Sequence, residues 1–336
     1  MDIFLILEWL VKALALILLM TAGFSYTTWF ERKVLARMQV RTGPNRAGPF
    51  ALLQPVADGI KLIFKEELIP SRADKLIFIL APVITVIPAL IITAVIPWGP
   101  GSIRLFGRDI PLHLADVNIG VLYIMAVTSI SVYGIALAGW SSNNKYAMLG
   151  GLRSTAQMIS YELALGFAML APVMMAGSMR MIDIVDAQRK MWFAVLQPVA
   201  FLIYLISSLA EINRAPFDMP EAEQELTAGY HTEYSGMKFA LFFMAEYIKM
   251  IAISMIGTSL FLGGYNWPLP AEWLWGLAGV ANLFMKTVAW MFVIVWLRAT
   301  LPRIRYDRLM QLGWKVTFPL ALVNVIVTAV VIVWVG

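Results

Sequence analysis

Six carboxylates fall between positions 211 and 233: Glu211, Asp218, Glu221, Glu223, Glu225 and Glu233. One base, Arg214, lies among them, and a seventh acid, Glu246, sits inside the apolar run that follows. A third of the chain's 21 acids are thus gathered in one stretch. An acidic cluster pressed against apolar segments is costly unless it is paired, hydrated or able to take up protons. Residues 217–228 read as a short helix, with Asp218 as its N-cap and Pro220 in its first turn. Glu221 and Glu225 then share a face, where like charges raise each other's pKa. Carboxylates in that condition exchange protons near neutral pH, so the chemistry indicated is proton transfer. A solvated acidic loop with good capping residues is the plainer alternative.

Charge also occurs within the apolar runs. Glu162 lies in the fourth run, Glu246 and Lys249 in the sixth, and Lys286 in the seventh. A bare charge at such depth costs at least ~2.5–3.5 kcal/mol on insertion scales, so these groups are expected to face protein interior or water. Glu246 and Lys249 are three apart and so share a face; a mutual ion pair is the plainer alternative to a part in proton transfer. Glu8 and Lys12 read as side chains snorkelling from a span end. Glu162 has no base nearby in sequence and reads as a buried titratable group. With the acids of the 211–233 stretch, these residues outline a hydrated proton path: Glu162, Glu211, Glu221, Glu223, Glu225, Glu233, Glu246 and Lys249.

The elements that must position them are helices. The chain has 336 residues, 60% hydrophobic and only 14% charged, which points to an integral membrane protein. Eight runs near 5–30, 76–97, 118–139, 155–177, 191–210, 239–262, 274–297 and 316–335 are long enough to span a bilayer, which takes roughly 20 apolar residues. They lack the alternation of barrel strands. The expected fold is therefore an all-α integral membrane protein of about eight transmembrane helices, a single polytopic domain over residues 1–336. The first run carries Glu8 and Lys12 and has no small-residue cleavage pattern, so it reads as a retained span. The connections 31–75, 140–154, 211–238 and 298–315 carry 18 of the 26 Lys and Arg, which puts them in the cytoplasm and both termini on the periplasmic side. Within the 31–75 connection, Leu53, Val56, Ala57, Ile60 and Phe64 share a helical face opposite Gln54, Asp58, Lys61 and Lys65, as suits an amphipathic helix in the membrane interface. Residues 98–116 read as a turn-rich cap. Cysteine is absent and only His113 and His231 are present, so no thiolate, iron–sulfur or metal site of the chain's own is expected.

Three long segments carry a resemblance: ERKVLARMQVRTGPNRAGPFALLQPVADGIKLIFKE, RSTAQMISYELALG and AEINRAPFDMPEAEQELTAGYHTEYSGMKFALFFMAEY. In this order they resemble the H-subunit family of respiratory complex I, the quinone-site membrane subunits of NADH:quinone oxidoreductase, equivalent to mitochondrial subunit 1. The resemblance covers nearly the whole chain. It implies a subunit without a redox centre that forms a quinone tunnel, with the tail entering past the first span, the interfacial helix and the sixth span. It implies quinone-binding positions at Arg32, Lys33, Arg37, Arg41, Gln54, Asp58, Phe217 and Asp218, with Glu31 on the same segment. It also implies an acidic path linking quinone reduction to proton translocation. The substrate would be ubiquinone or menaquinone, with no other cofactor held. The partners would be other complex I membrane subunits, the peripheral-arm subunits bearing the terminal iron–sulfur cluster, and the lipid of the inner (plasma) membrane.

Other functions fit less of the chain. An anchor subunit of a related energy-converting hydrogenase would share the ancestry without the quinone. A self-contained transporter would show internal repeats, and none is evident. A purely structural scaffold needs no titratable groups inside its spans. The basic 31–75 connection has few stacking aromatics and suits anionic lipid or a docking subunit, so nucleic acid is not an expected partner. GPNRAG lacks the lysine of a phosphate-binding loop.

Overall fold

The computed structural model describes residues 3–105, 108–218, 227–268 and 277–335. Continuous apolar runs satisfy their backbone internally, and helices dominate accordingly. Among the described residues, seven helices are long and apolar enough to cross a membrane. They are α1 (Ile3–Met38), α3 (Lys75–Ile91), α4 (Gly120–Ser141), α5 (Lys145–Ala176), α9 (Gly236–Phe261), α10 (Ala278–Thr300) and α12 (Phe318–Val335). Between them lie α2 (Gln54–Ile63), α6 (Met181–Ala187), the single turn α7 (Phe193–Leu196), α8 (Pro198–Glu211) and α11 (Tyr306–Leu312).

The fifth expected span, 191–210, departs from expectation. It is broken at Gln197, whose φ of −129° and ψ of 59° are not helical. Pro198 is the cause, because its ring disfavours the α region for the residue before it. The remaining 14-residue helix α8 is ~21 Å long, short of the ~30 Å hydrocarbon layer. The exposed polarity of the break is met inside the protein: Gln197 Nε2 donates to Thr328 Oγ1 at 3.0 Å and its Oε1 accepts from Asn324 Nδ2 at 3.2 Å, both on α12.

Helix ends follow local chemistry. Asp74 caps α3 by accepting from Ile77 N, and Asn144 caps α5 by accepting from Tyr146 N. Gly177, at φ 67°, ends α5 in the left-handed conformation that glycine adopts without steric cost. Helices α4 and α5 pack closely at Gly139, where a Cβ would stand 2.6 Å from the carbonyl oxygen of Ala147. Tyr161, Tyr204, Phe78 and Phe261 are fully buried at the centre of the bundle. By contrast, α1 packs only along one side, against α9 and α10. Helix α2 buries no residue, and Leu53, Val56 and Ile60 beside and along it are exposed, the arrangement expected of an interfacial helix. The 98–116 segment contains a small hairpin, β1 (Ser102–Leu105) antiparallel to β2 (Arg108–Pro111). It lies in the connection between α3 and α4, at the end of the bundle opposite the acidic connection.

Candidate functional site

Helix α1 does not stop where its apolar residues do. It continues to Met38 and carries Glu31 inward, one turn beyond Thr27 on the same buried face. Glu31 is 3% exposed. It accepts from Arg298, at the end of α10, and from Arg214 Nη1 at 3.4 Å. Arg214 also pairs with Glu246 of α9, and its guanidinium lies 4.4 Å from the centre of the Tyr247 ring. Two acids and two arginines from α1, α9, α10 and the 212–218 connection thus meet in one buried cluster.

Arg214 reaches that place because its connection is pinned into the bundle. Gln157, in the middle of α5 and fully buried, donates to the carbonyls of Ala210 at 2.9 Å and Phe217 at 2.8 Å. Asn213 takes φ 55° and donates to Ser154 Oγ at 3.1 Å. Phe217 packs on Tyr161 in the core, with ring centres 5.7 Å apart. At its start the acidic stretch is therefore interior structure rather than a solvated loop.

Deeper in the bundle, Lys249 of α9 donates to Glu211 Oε1 at 2.6 Å and to Ser131 Oγ at 3.1 Å. Glu246 and Lys249 do not form the mutual pair that their spacing allows. Each has its own partner, and the two salt bridges stack along one helix. Glu162 accepts from Ser129 of α4 and is half-buried rather than turned wholly to the outside. Glu233 accepts from Asn144 Nδ2 at 2.7 Å, at the start of α5. Asp218 pairs with Arg303 at 2.8 Å, and the N–H groups it was expected to cap lie outside the described residues. Glu221, Glu223 and Glu225 lie outside the described residues, as does most of the expected 217–228 helix. Its described flanks, residues 217–218 and 227–228, are bend, coil and turn.

Of the other expected positions, Arg32 donates to Asp58 Oδ2 at 2.8 Å and Gln54 donates to Asp58 Oδ1 at 3.1 Å, tying α1 to α2. Lys33 is half-buried, while Arg37 and Arg41 are exposed near the outer end of α1. Second oxygens of Glu31 and Glu211, and Oε1 of Gln157, are buried with no hydrogen-bond partner among the described residues. Buried acceptors in that state call for water or a ligand donor.

An apolar groove of about 1180 Å³ runs between α1, α9 and α10. Gly23 and Thr27 line it from α1, Ile251 and Met255 from α9, and Met291 from α10. It extends to Thr27 and Phe30, within one turn of Glu31, so its upper end points toward the ion cluster. A long apolar groove ending at buried charge suits a molecule with a hydrocarbon tail and a polar head.

The opposite end of the bundle has different chemistry. Arg180 donates from Nε to both oxygens of Asp116, at 2.8 and 2.9 Å. These hydrogen bonds hold the Asp116 carboxyl below the usual carboxylate range, against an opposing push from burial. Burial lowers the pKa of His113 nearby.

Several members of the site have no chemical signal of their own in the sequence, although Gln157 and Asn213 lie in segments that carry the family resemblance. Arg298 counts in the sequence only as loop charge, although its place at the edge of an apolar run was a usable signal. Gln157, Asn213, Ser129, Ser131 and Asn144 are ordinary polar residues whose partners come from distant segments.

The sequence model of the NADH dehydrogenase family matches residues 11–329. Three relatives are H subunits of NADH-quinone oxidoreductase. The second such protein of Syntrophobacter fumaroxidans is 53% identical over 323 residues, covering 96% of this chain and 94% of its own. The first of the two from Geobacter metallireducens is 54% identical, covering 90% of both chains. The one from Thermomicrobium roseum is 52% identical, covering 92% of both.

Proposed function

Since the chain belongs to the NADH dehydrogenase family, as a multi-pass membrane subunit of NADH-quinone oxidoreductase, we propose that it binds the quinone and couples its reduction to proton movement. The observation that carries this reading is the apolar groove between α1, α9 and α10, which ends within a turn of Glu31 in the cluster it forms with Arg214, Glu246 and Arg298. The groove takes the isoprenoid tail, of ubiquinone or menaquinone, and the charged end guides the head. The head passes on toward the Arg32–Asp58–Gln54 contact and the peripheral-arm subunits that deliver electrons. In this orientation the acidic connection faces the cytoplasm and the hairpin end faces the periplasm.

Reduction of a quinone takes up two electrons and two protons. Arg214 and Arg298 lie where they offset negative charge arriving beside Glu31 and Glu246. That charge favours protonation of those acids, and a proton taken up by either changes the charge balance on Arg214. The second salt bridge, Glu211 with Lys249, lies along the same helix and feels that change. Glu162 and Glu233, with Glu221, Glu223 and Glu225, extend the set of carboxylates available to relay it. A local charge event gains a distant effect by biasing such paired groups between two arrangements.

A quinone carrying a photoreactive group in its tail, applied to the intact membrane complex, tests the reading. Labelled peptides are expected from residues 19–30 of α1 and 280–291 of α10, and an excess of unlabelled quinone should remove them. Labelling confined to other helices, or insensitive to competitor, would count against the groove as the tail site.

A further inference from the structure

A second line of buried polar groups leaves the acid cluster in the other direction. It starts at Glu211, whose Oε2 has no partner among the described residues. Ser207 lies one turn earlier on the same face of α8 and is 0% exposed, and its hydroxyl likewise has no partner. Tyr204, nearly a turn further, meets Trp290 of α10 with ring centres 5.8 Å apart. That contact depends on Gly257, where a Cβ would stand 2.7 Å from the Tyr204 ring and 3.0 Å from Trp290. The indole Nε1 of Trp290, in a side chain 5% exposed, is the third buried group without a partner.

One turn along α10 from Trp290, on the same face, is Lys286. Its ammonium donates to the carbonyls of Leu262 at 2.6 Å, Gly264 at 2.9 Å and Asn266, where α9 gives way to its connection. The Trp192 ring lies 5.5 Å from it. Beyond, Tyr265 donates to Asp186 at 2.8 Å, and Asp186, paired with Arg189 at 3.1 Å, is 37% exposed and reaches the surface. Glu211, Ser207, Trp290, Lys286 and Asp186 therefore step from the centre of the bundle to the hairpin end.

An unmade hydrogen bond on a buried polar group is expensive, and three such atoms set on or against one face of α8 are not a packing accident. A polar site with several such partners is where proteins hold internal water. We propose that ordered water between α8 and α10 bonds Glu211 Oε2, Ser207 Oγ and Trp290 Nε1, and makes a proton branch from the acid cluster through Lys286 to the end of the bundle marked by Asp186. Resting on the proton-coupled reading above, this gives the chain a transmembrane branch of its own. In each passage the Lys286 ammonium breaks one N–H bond to give a proton toward Asp186. The resulting amine forms one N–H bond with a proton from the water side, Glu211 resupplies the water with a proton taken from the acid cluster, and Asp186 releases its proton to the solvent. No net charge is left behind.

The competing role for Lys286 is a fixed cation capping the end of α9. Arginine separates the two, because it keeps charge and donors but does not release a proton. In the assembled complex in proteoliposomes, Lys286→Met, Lys286→Arg and Ser207→Ala are each expected to lower protons moved per NADH while leaving the uncoupled NADH:quinone rate unchanged. Recovery of the full ratio in Lys286→Arg would make Lys286 a cap and overturn the branch. So would an unchanged ratio in Ser207→Ala, or an equal loss of the uncoupled rate. Should Lys286→Met fail to assemble, Ser207→Ala and Lys286→Arg still decide. Glu211→Gln in the same assay tells the two failures apart. If it alone lowers the ratio, the branch is wrong and the coupled reading stands, whereas no effect of Glu211→Gln sinks the reading itself.

Discussion

Arg214 is the residue on which the ion cluster depends. It is 5% exposed, touches Glu31 and Glu246, and covers the Tyr247 ring. Arg298 also serves Glu31, so removing Arg214 chiefly strands Glu246. A buried charge that loses its partner costs about 3–5 kcal/mol. Arg214→Met is therefore expected to cut quinone reduction by more than tenfold and to lower the melting temperature of the assembled complex. Arg214→Lys, a point charge without the guanidinium fork, should restore assembly better than activity. Both readouts come from one preparation, by NADH:quinone assay and thermal denaturation. Which residues bear charge inside the membrane was legible from the sequence, because apolar runs make every Glu and Lys conspicuous. Which charges pair was not legible. Spacing says that Glu246 and Lys249 share a side of one helix, but the partner is chosen by what packs there: Arg214 from a folded-in connection and Glu211 from the end of α8.

Among the elements, the long runs of α3, α4, α5 and α9 were readable from length and hydropathy alone, and so was the exposed apolar side of α2. The break at Gln197 was not read, although Pro198 signals it, since proline is common enough in membrane helices to be tolerated where neighbours supply bonds. Here Asn324 and Thr328 of α12 do so, from more than a hundred residues away. The tight seam of α4 with α5 was equally hidden, because a glycine in a span has many uses. At Gly139 the use is contact with the Ala147 carbonyl, and Gly139→Ala should force the two helices apart. Overpacking of this kind costs about 1–3 kcal/mol. The expected result is a lower melting temperature with Asn144 displaced from Glu233, and hence a fall in coupled activity larger than that in a distant surface variant.

Taken whole, the molecule has two ends held by different polar contacts. One gathers buried carboxylates and arginines; at the other, Arg180 holds Asp116, 64 residues away in the chain. Because the Asp116 carboxyl lies below its usual range in the folded chain, it adds stability above the ordinary carboxylate value. That stability is lost as pH falls through the lower, folded value. Asp116→Asn is thus expected to melt earlier than the parent at neutral pH, and the two curves should converge on acidification below the carboxylate range. A constant gap across that window would assign the contact to packing instead of charge.

The unbroken course of α1 has a mechanical consequence. At 36 residues it is ~54 Å of rod, against a hydrocarbon layer of ~30 Å. Residues 19–30 form one bank of the groove, Glu31 belongs to the ion cluster, and Arg32 beside it grips Asp58. A stiff beam clamped at one end and loosely held along its length behaves as a lever. Whatever widens the groove by leaning on the beam, including a change in bilayer thickness, also shifts Glu31 against its arginines and pulls at the interfacial helix.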